Sequence, residues 1–221
     1  TAYEIRPRDW SSDVCSSDLG VSFRYPGARR DAIADLTLEL RDGEVTALMG
    51  PDGAGKTTLC LLLAGLAPRI TRGTLRGRIV ADGEDLAGLP AHALPAVTGI
   101  CLADPAAQRS GVCPTAWEEA AFGAANLGLP AAEIVARVDD AFDRLRIGDL
   151  APRDPARLSG GQQQLVAIAG LLAIGSRHLV LDEPTAQLDP HGSRLVTDAL
   201  MRLAADGAAI LVAGHRTDEL A

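Results

Sequence analysis

The sequence predicts an α/β domain built around a largely parallel β-sheet. Short β-like runs alternate along the chain with longer segments of helical character, an alternation that is typical of parallel sheets. A glycine-rich turn, residues 50–55, follows one β-like run and opens a helix. Another apolar run, 178–181, ends in two carboxylates. Ligands bind at the carboxyl ends of the strands in such folds, so both features are expected at one edge of the sheet.

The elements follow in order from residue patterns. Asp42-Gly43 separates two β-like runs and predicts a hairpin between them. Thr115, with Glu118 three residues later, forms a capping-box pattern at the start of a helix. The predicted strands are 21–25, 36–40, 44–49, 77–82, 98–102, 179–181 and 208–213. The predicted helices are 56–66, 115–126, 131–146, 159–174 and 190–205.

Composition excludes several classes of protein. The chain has 221 residues, 47% of them hydrophobic, and a formal net charge of −8, so it can bury a core but offers no basic face for nucleic acid or anionic lipid. No apolar run approaches the roughly 18–20 residues of a membrane span. Cys15, Cys60, Cys101 and Cys113 form no CxxC pair, which favours free thiols in a reducing cytosol over zinc or disulfides.

The two ends of the chain differ from its body. Residues 10–19, WSSDVCSSDL, are rich in Ser and Asp and form either a polar N-terminal tail or foreign sequence, since one frame of a common sequencing-adapter oligonucleotide encodes this string. We favour the foreign origin and expect residues 1–19 to be non-native or disordered, with the native domain at 20–221. The chain starts at Thr1 and stops at Ala221, so we expect a fragment truncated at its C-terminus.

Residues 50–57, Gly-Pro-Asp-Gly-Ala-Gly-Lys-Thr, fit the pattern GxxxxGK[ST] between a strand and a helix. Glycines let backbone N–H groups curl around phosphate oxygens, and the helix N-terminus adds donors and a positive dipole end. Lys56 is expected to reach the β- and γ-phosphates of a nucleoside triphosphate, and the Thr57 hydroxyl to ligate Mg²⁺. The alternative is a glycine-rich turn with a surface lysine. The predicted nucleotide-binding residues here are Gly50, Asp52, Gly53, Ala54, Gly55, Lys56, Thr57 and Thr58.

Asp182 and Glu183 end the apolar run that begins at His178. At the carboxyl end of a parallel strand both can project toward the phosphates. Asp182 suits a contact to Mg²⁺ through its water shell, and Glu183 is placed to orient or deprotonate the attacking water. The alternative is a solvated turn at the strand end before Pro184.

A second candidate anion cradle is the segment Leu158-Ser159-Gly160-Gly161-Gln162, which precedes a helix. Ser159 and two glycines at a helix start expose a cluster of N–H groups. One triphosphate rarely needs two cradles about a hundred residues apart. A two-fold dimer needs both, if each cradle grips the nucleotide that the other subunit holds.

This LSGGQ segment, between the phosphate loop and the strand LVLDEP, resembles the nucleotide-binding subunit of ABC transporters. The resemblance runs from about Val21 to Ala221. It implies a P-loop NTPase fold of the ABC ATPase type: a mainly parallel core sheet, an antiparallel β subdomain and a helical subdomain inserted at about 89–157. It also implies an ATPase with ATP and Mg²⁺ as cofactors, a second ABC ATPase domain as partner, and a cytoplasmic location at the inner face of the membrane.

Individual residues match the family's motifs. Tyr25 matches the aromatic residue that stacks on adenine, with an edge-strand tyrosine as the alternative. Asp189 matches the D-loop, which communicates across the dimer. His215 follows the last predicted strand, where the family has a switch histidine that contacts the γ-phosphate. The residues matching the motif that grips the other subunit's nucleotide are Ser159, Gly160, Gly161 and Gln162.

One position departs from the family. Ala103 stands where the family places a glutamine that contacts Mg²⁺ and senses the membrane partner. Alanine can neither ligate a metal nor hydrogen-bond water, so the substitution predicts weakened turnover or coupling. Asp104 and Gln108 are candidate substitutes.

The segment from Ala121 to Pro130 resembles the helical domain of energy-coupling factor ATPases, which serve vitamin and transition-metal importers. Gln187-Leu188-Asp189-Pro190 is similar to the first half of tandem forms. This implies two further partners, a transmembrane coupling subunit and a substrate-binding membrane subunit. Two alternatives remain: a non-catalytic or regulatory ATP-binding module, motivated by Ala103, and a soluble ABC protein that acts on ribosomes or DNA, which the acidic charge disfavours.

Overall fold

The computed structural model describes the chain from Cys15 to Gly214, and side chains are described from Gly20 onward. The strands are β1 (Cys15–Arg24), β2 (Ile33–Leu40), β3 (Val45–Met49), β4 (Thr74–Arg76), β5 (Val80–Ala81), β6 (Glu84–Asp85), β7 (Thr98–Cys101), β8 (His178–Asp182) and β9 (Ala209–Gly214). The helices are α1 (Lys56–Leu63), α2 (Leu94–Val97), α3 (Ala116–Asn126), α4 (Ala131–Leu145), α5 (Gly160–Ile174) and α6 (Pro190–Ala205), with short 3-10 turns between some of them.

The strands form two sheets. The core sheet has four strands in the order β3-β9-β8-β7 and is parallel throughout, because its connections run through helices. The second sheet has the order β2-β1-β5-β6, with β4 paired to β1, and its pairings are antiparallel. The predicted α/β class with a mainly parallel sheet and an antiparallel part is therefore confirmed.

Alternate residues of the parallel strands face two different cores, because successive side chains of a strand point to opposite faces. Leu179 and Leu181 of β8 pack with α3 to α6. Val180 packs on the other face with α1 and the antiparallel sheet. With both faces covered, β8 and β9 are buried along their whole length, which explains their unbroken apolar sequences.

The predicted hairpin at Asp42-Gly43 is wrong. The turn itself is present, and the Glu44 N–H donates to the Arg41 carbonyl at 3.2 Å. However, β2 pairs with β1 in the antiparallel sheet, while β3 pairs with β9 in the core sheet. A turn signal fixes a local chain reversal, but the pairing of the following strand depends on which partner buries its side chains. The turn therefore connects two sheets.

Helix boundaries agree closely with the residue patterns. Both halves of the predicted capping box at Thr115 and Glu118 are formed, so α3 begins where expected. Helix α1 ends at Leu63, three residues before the predicted end. Gly65 adopts a left-handed φ of 67° just after the cap residue Ala64, a common helix-ending conformation for which glycine carries no Cβ penalty.

Part of the segment predicted to be non-native or disordered is paired. The backbone at Cys15 to Ser17 lies opposite Leu40 to Leu38 in β1 and β2, whereas residues 1–14 lie outside the described part of the chain. The foreign origin of residues 1–19, and the bounds 20–221 and 89–157, stay predictions. Within residues 15–214 no helix is long and apolar enough to cross a membrane.

The two sheets are joined by a charged contact. Asp82, in the β5–β6 turn, accepts a hydrogen bond from Arg177 and pairs with Nε2 of His178 at 3.1 Å. His178 is buried at the start of β8. Burial raises the pKa of the Asp82 carboxyl, but the contacts with His178 and Arg177 outweigh this, so its pKa lies below the ordinary value.

Replacing Asp82 by Asn is expected to lower the free energy of unfolding by about 1–2 kcal/mol at pH 7. Asn tolerates the left-handed φ of 53° at this position, so the loss reports the charge. Because the folded pKa is depressed, the contribution is present above the unfolded pKa of about 3.9 and is lost as pH falls through the folded value. Urea unfolding of the wild type and of Asp82→Asn, each at pH 7 and pH 3, measures this contribution.

The control is Glu84→Gln, which removes an exposed carboxylate next to the same turn. It should leave stability unchanged at both pH values. A difference between wild type and Asp82→Asn that does not shrink at pH 3 would contradict the electrostatic role of Asp82.

Candidate functional site

The loop after β3 forms a tight backbone cradle. Gly53 and Gly55 have left-handed φ values of 76° and 93°, and the Ala54 N–H donates to the Pro51 carbonyl at 3.1 Å. A Cβ on Gly55 would lie 2.6 Å from the carbonyl oxygen of Ala32, closer than real contacts allow. Only glycine therefore fits at position 55, immediately before α1. The N–H groups at the helix start then point into the loop, where an anion binds favourably.

Lys56 connects this loop to the end of β8. Its ammonium group, on a side chain 6% exposed, donates to the carbonyls of Gly50 at 2.8 Å and Pro51 at 3.3 Å. The same Nζ lies 3.6 Å from Oε1 of Glu183. The structure thus brings together the two motifs that the sequence predicted for one edge of the sheet.

Asp182 and Glu183 occupy different environments at that edge. Asp182 is the last residue of β8 and is 4% exposed, whereas the Glu183 side chain is 22% exposed. Glu183 adopts a left-handed φ of 53°, and its N–H donates to the Ala213 carbonyl of β9 at 2.9 Å. This backbone turn directs the chain out of the sheet just after the acids. His215, predicted to act here, lies outside the described residues, one position after β9.

Cys60 lies on α1, beneath Asp182 and Glu183. Burial and then the negative charge of Asp182 raise the pKa of its thiol, so the thiol stays protonated and serves as an apolar neighbour. Cys60 and Cys101 are buried free thiols and Cys113 is half-buried. Among the residues that the structure describes, no group of three His, Cys, Asp or Glu could hold a metal ion.

Tyr25 joins the antiparallel sheet to the phosphate loop's helix. Its hydroxyl lies 3.0 Å from Oγ1 of Thr58, and its ring meets Phe23 edge to face with centroids 4.9 Å apart. The ring is half-buried, which leaves part of it available for stacking. Thr58, predicted to donate to a phosphate, is buried and bonded to Tyr25 in this arrangement. Thr57 and Asp52 are exposed on the loop.

The LSGGQ segment caps α5 and packs on α6. Ser159 and Gln162 form a capping box, in which each side chain accepts the other's backbone N–H. A Cβ on Gly161 would lie 2.8 Å from the Cα of Gly192, so this glycine allows the two helices to approach closely. Asp189 caps α6, since its Oδ1 accepts from the Gly192 N–H at 2.6 Å. Ser159 and Gly160 are exposed to solvent.

Neither Gln108 nor Asp104, the candidate substitutes for the glutamine missing at Ala103, points toward Asp182 and Glu183. The Gln108 side chain accepts from the Leu102 N–H at 2.6 Å and donates to the Ile100 carbonyl at 3.1 Å. The Asp104 carboxylate accepts from the Ala106 N–H at 2.9 Å. Both side chains therefore stabilise the segment directly after β7, residues 102–104, which we call the exit of β7. The sequence did not predict these two bonds of Gln108, because no local motif indicates that a side chain will bind the backbone of residues six and eight positions earlier.

An open groove runs between α3, α5 and the segment after β7. Its walls are mainly apolar, and Phe122 and Val112 are exposed hydrophobic residues in this part of the chain. Nε of Arg109, which also lines the groove, is buried without a hydrogen-bond partner among the described residues. The residues that line it include Gln108, Arg109, Phe122, Gly123, Leu171 and Ile174.

The fold and the loop before α1 define a P-loop nucleotide-binding domain. A family model described as ABC transporter matches residues 33–186, and the chain belongs to this family as an ABC ATP-binding domain. It is 40% identical over 201 residues to an ABC transporter ATP-binding protein of Streptomyces coelicolor, covering 90% of this chain and 35% of that protein. It is 37% identical over 203 residues to the energy-coupling factor transporter ATP-binding protein EcfA1 of Lacticaseibacillus paracasei, covering 91% and 70%.

Solved structures agree. The chain superposes on cbiO1 of Clostridium perfringens, part of the ABC transporter complex cbiONQ, with a TM-score of 0.79 and 32% identity over 94% of this chain and 80% of that one. The predicted resemblance to ABC ATP-binding subunits of the energy-coupling factor type is thus confirmed. The chain spans about a third of the length of the first curated relatives, 31–36%.

Replacing Gly55 by Ala is expected to destabilise the chain and abolish ATP binding. Both Gly55 and Gly53 have left-handed φ values, which cost a non-glycine residue about 1–2 kcal/mol, but only at Gly55 does the added Cβ meet backbone. Thermal unfolding should show a clearly larger loss of midpoint for Gly55→Ala than for Gly53→Ala, which has no atom within 4 Å of the added Cβ. Equal losses in the two variants would refute the steric argument.

Proposed function

We propose that this chain is the ATP-binding and ATP-hydrolysing subunit of an importer of the energy-coupling factor type. The observation that carries the proposal is the convergence of Lys56 and Glu183 at the carboxyl edge of the parallel sheet, 3.6 Å apart. This distance supports a site in which Lys56 is the cation for the phosphates and Glu183 is the general base. The likeness to EcfA1 and cbiO1 supports the type of transporter.

ATP binds through the loop of residues 50–57. The backbone N–H groups at the start of α1 hold the phosphates, and Lys56 exchanges its two carbonyl partners for β- and γ-phosphate oxygens, which are stronger acceptors. Tyr25 stacks on adenine with the part of its ring that Phe23 leaves open. Its bond to Thr58 fixes the ring relative to the phosphate loop.

The donors fit Mg²⁺. Thr57 offers a hydroxyl and Asp182 a carboxylate, and a nucleotide-bound Mg²⁺ takes its remaining oxygens from phosphates and water rather than from a protein cage. When bound, Mg²⁺ neutralises charge on the phosphate oxygens.

Glu183 activates the attacking water. It accepts the water's proton as the oxygen bonds to the γ-phosphorus and the bond to the bridging oxygen breaks, which gives ADP and phosphate. The Glu183 N–H bond to β9 holds this residue at the sheet edge. His215, directly after β9, contacts the γ-phosphate.

A second ABC ATPase domain completes the site. The start of α5 grips the nucleotide held by the partner domain through Ser159, Gly160, Gly161 and Gln162. Ser159 and Gly160 are exposed, so the helix N-terminus is open to an anion. Asp189 lies at the start of α6, against which this segment packs. Movement at the dimer interface is thereby transmitted to both helices. The partner domain belongs either to the same longer chain or to another subunit.

A transmembrane coupling subunit docks in the groove between α3, α5 and the segment after β7, and a separate membrane subunit selects the substrate. The groove is apolar and begins four residues after β7, so a docked helix contacts the segment that leaves the catalytic edge. The chain then acts in the cytoplasm, peripheral to the membrane. The acidic charge of −8 disfavours RNA or DNA as the partner.

One observation favours a second candidate, a regulatory module that binds ATP without turnover. Ala103 offers no polar side chain, and both Asp104 and Gln108 are engaged with local backbone. The exit of β7 therefore supplies the site with backbone groups alone. The two candidates differ in ATP turnover and share ATP binding.

Replacing Glu183 by Gln is expected to lower the rate of ATP hydrolysis by about 100-fold or more while ATP affinity stays within a few-fold, because Gln keeps the shape but cannot accept the proton. Steady-state phosphate release and equilibrium ATP binding measure the two quantities. Glu84→Gln, an exposed change on β6, is the control. Equal rates in wild type and Glu183→Gln would eliminate the catalytic role and leave the regulatory candidate.

Replacing Ala103 by Gln is expected to raise turnover several-fold, since it restores a carboxamide that can hydrogen-bond water at the exit of β7. The matched control is Ala106→Gln, three residues later and exposed, which should have no effect. Unchanged phosphate release in Ala103→Gln would show that this position does not limit turnover.

A further inference from the structure

Gln164 is a buried polar residue that the proposed mechanism leaves unused. It is 0% exposed on α5, and neither its Oε1 nor its Nε2 has a hydrogen-bond partner among the residues that the structure describes. A buried carboxamide without partners is unfavourable, and few polar groups in native proteins are left in this condition. Hydrogen bonds to the Gln164 carboxamide would therefore stabilise any arrangement of the chain in which they form.

Helix geometry places Gln164 beside the exit of β7. A Cβ on Gly99 of β7 would lie 3.1 Å from Cδ1 of Leu171, so Leu171 packs over Gly99. Gln164 is seven residues earlier on nearly the same face of α5, about 10.5 Å toward the helix N-terminus. The C-terminal end of α5 leads by a short turn into the start of β8, so α5 runs antiparallel to β8 and to β7, which is parallel to β8. Moving toward the N-terminus of α5 therefore means moving toward the carboxyl end of β7. Three strand residues cover about 10 Å, which brings Gln164 level with Leu102.

The polar groups available to Gln164 at this level are backbone groups. Leu102 and Ala103 have apolar side chains, and the Gln108 carboxamide already bonds Ile100 and Leu102. The register pairs Cys101 with Leu181, so the residue after Cys101 is level with Asp182. Gln164 therefore lies behind the edge where Mg²⁺ and ATP are proposed to bind.

We infer that Gln164 is a positioning residue for the ATP-bound arrangement: its carboxamide hydrogen-bonds the backbone of residues 102–104 when ATP and Mg²⁺ are bound. The inference rests on the proposed function. ATP shifts the chain toward this arrangement only if it binds that arrangement better. The bonds of Gln164 contribute to that preference, and the exit of β7 then transmits nucleotide occupancy to α5 and to the groove beside it.

The test compares Gln164→Met, which keeps the length of the side chain without its hydrogen-bonding groups, with Thr98→Val. Thr98 lies at the other end of β7, and its buried hydroxyl also lacks a partner among the described residues. Both variants remove an orphaned polar group, so both should raise the thermal midpoint of the chain without added nucleotide, by about 2–4 °C. Only Gln164→Met should weaken ATP binding in the presence of Mg²⁺, by about tenfold, as measured by calorimetry on the full chain.

Three outcomes contradict the inference: ATP affinity of Gln164→Met within twofold of wild type, equal weakening in Thr98→Val, or a Gln164→Met chain that is less stable than wild type or fails to fold. The last would show that the carboxamide is already satisfied, as by a buried water. Failure of the wild-type chain to bind ATP with Mg²⁺ would instead overturn the proposed function.

Discussion

The parallel pairing of β3, β9 and β8 is the constraint on which the rest of the structure depends. Its register sets Met49 opposite Gly214, and Ala213 opposite Asp182. The described residues that follow these strands therefore leave the sheet at one edge: the phosphate loop after β3 and Glu183 after β8. A shift of two residues in either pairing would displace Lys56 relative to Glu183 by about 6–7 Å along the strands. The buried, unbroken apolar runs of β8 and β9 fix that register through their fit to the cores on both faces.

Two contacts attach the antiparallel part of the fold to α1 and to β8, and they hold the remaining site residues against this edge. At the carboxyl end, the Tyr25 hydroxyl meets Thr58 in the first turn of α1. At the opposite end, Asp82 joins the antiparallel sheet to His178 at the start of β8. Because the contacts lie at opposite ends of the parallel sheet, they restrict rotation of one sheet against the other. The position of Tyr25 relative to Lys56 is thereby set by the fold as a whole.

Much of the fold and of the candidate site is predictable from local signals. The strand, glycine loop and helix around Lys56, the capping boxes at Thr115 and Ser159, and the acids after β8 all depend on a few neighbouring residues. The partner of β3 was not predictable from the turn at Asp42-Gly43, because strand pairing depends on burial across distant segments. The same holds for the contact of Asp82 with His178, 96 residues apart, and for the clamp that Gln108 places on β7.

The exit of β7 shows why sequence alone gives an incomplete account of such an edge. By position, Asp104 and Gln108 were both able to replace the carboxamide missing at Ala103. Their geometry assigns them elsewhere, since a carboxylate that caps a turn and a carboxamide that spans two backbone groups have fixed directions. Strand β3 thus leads to Lys56 and β8 to Asp182 and Glu183, whereas the described residues after β7 turn only backbone groups toward this edge. Gln164 is the polar side chain that helix geometry places behind that backbone, and its orphaned atoms mark the point where this edge has hydrogen bonds still to make.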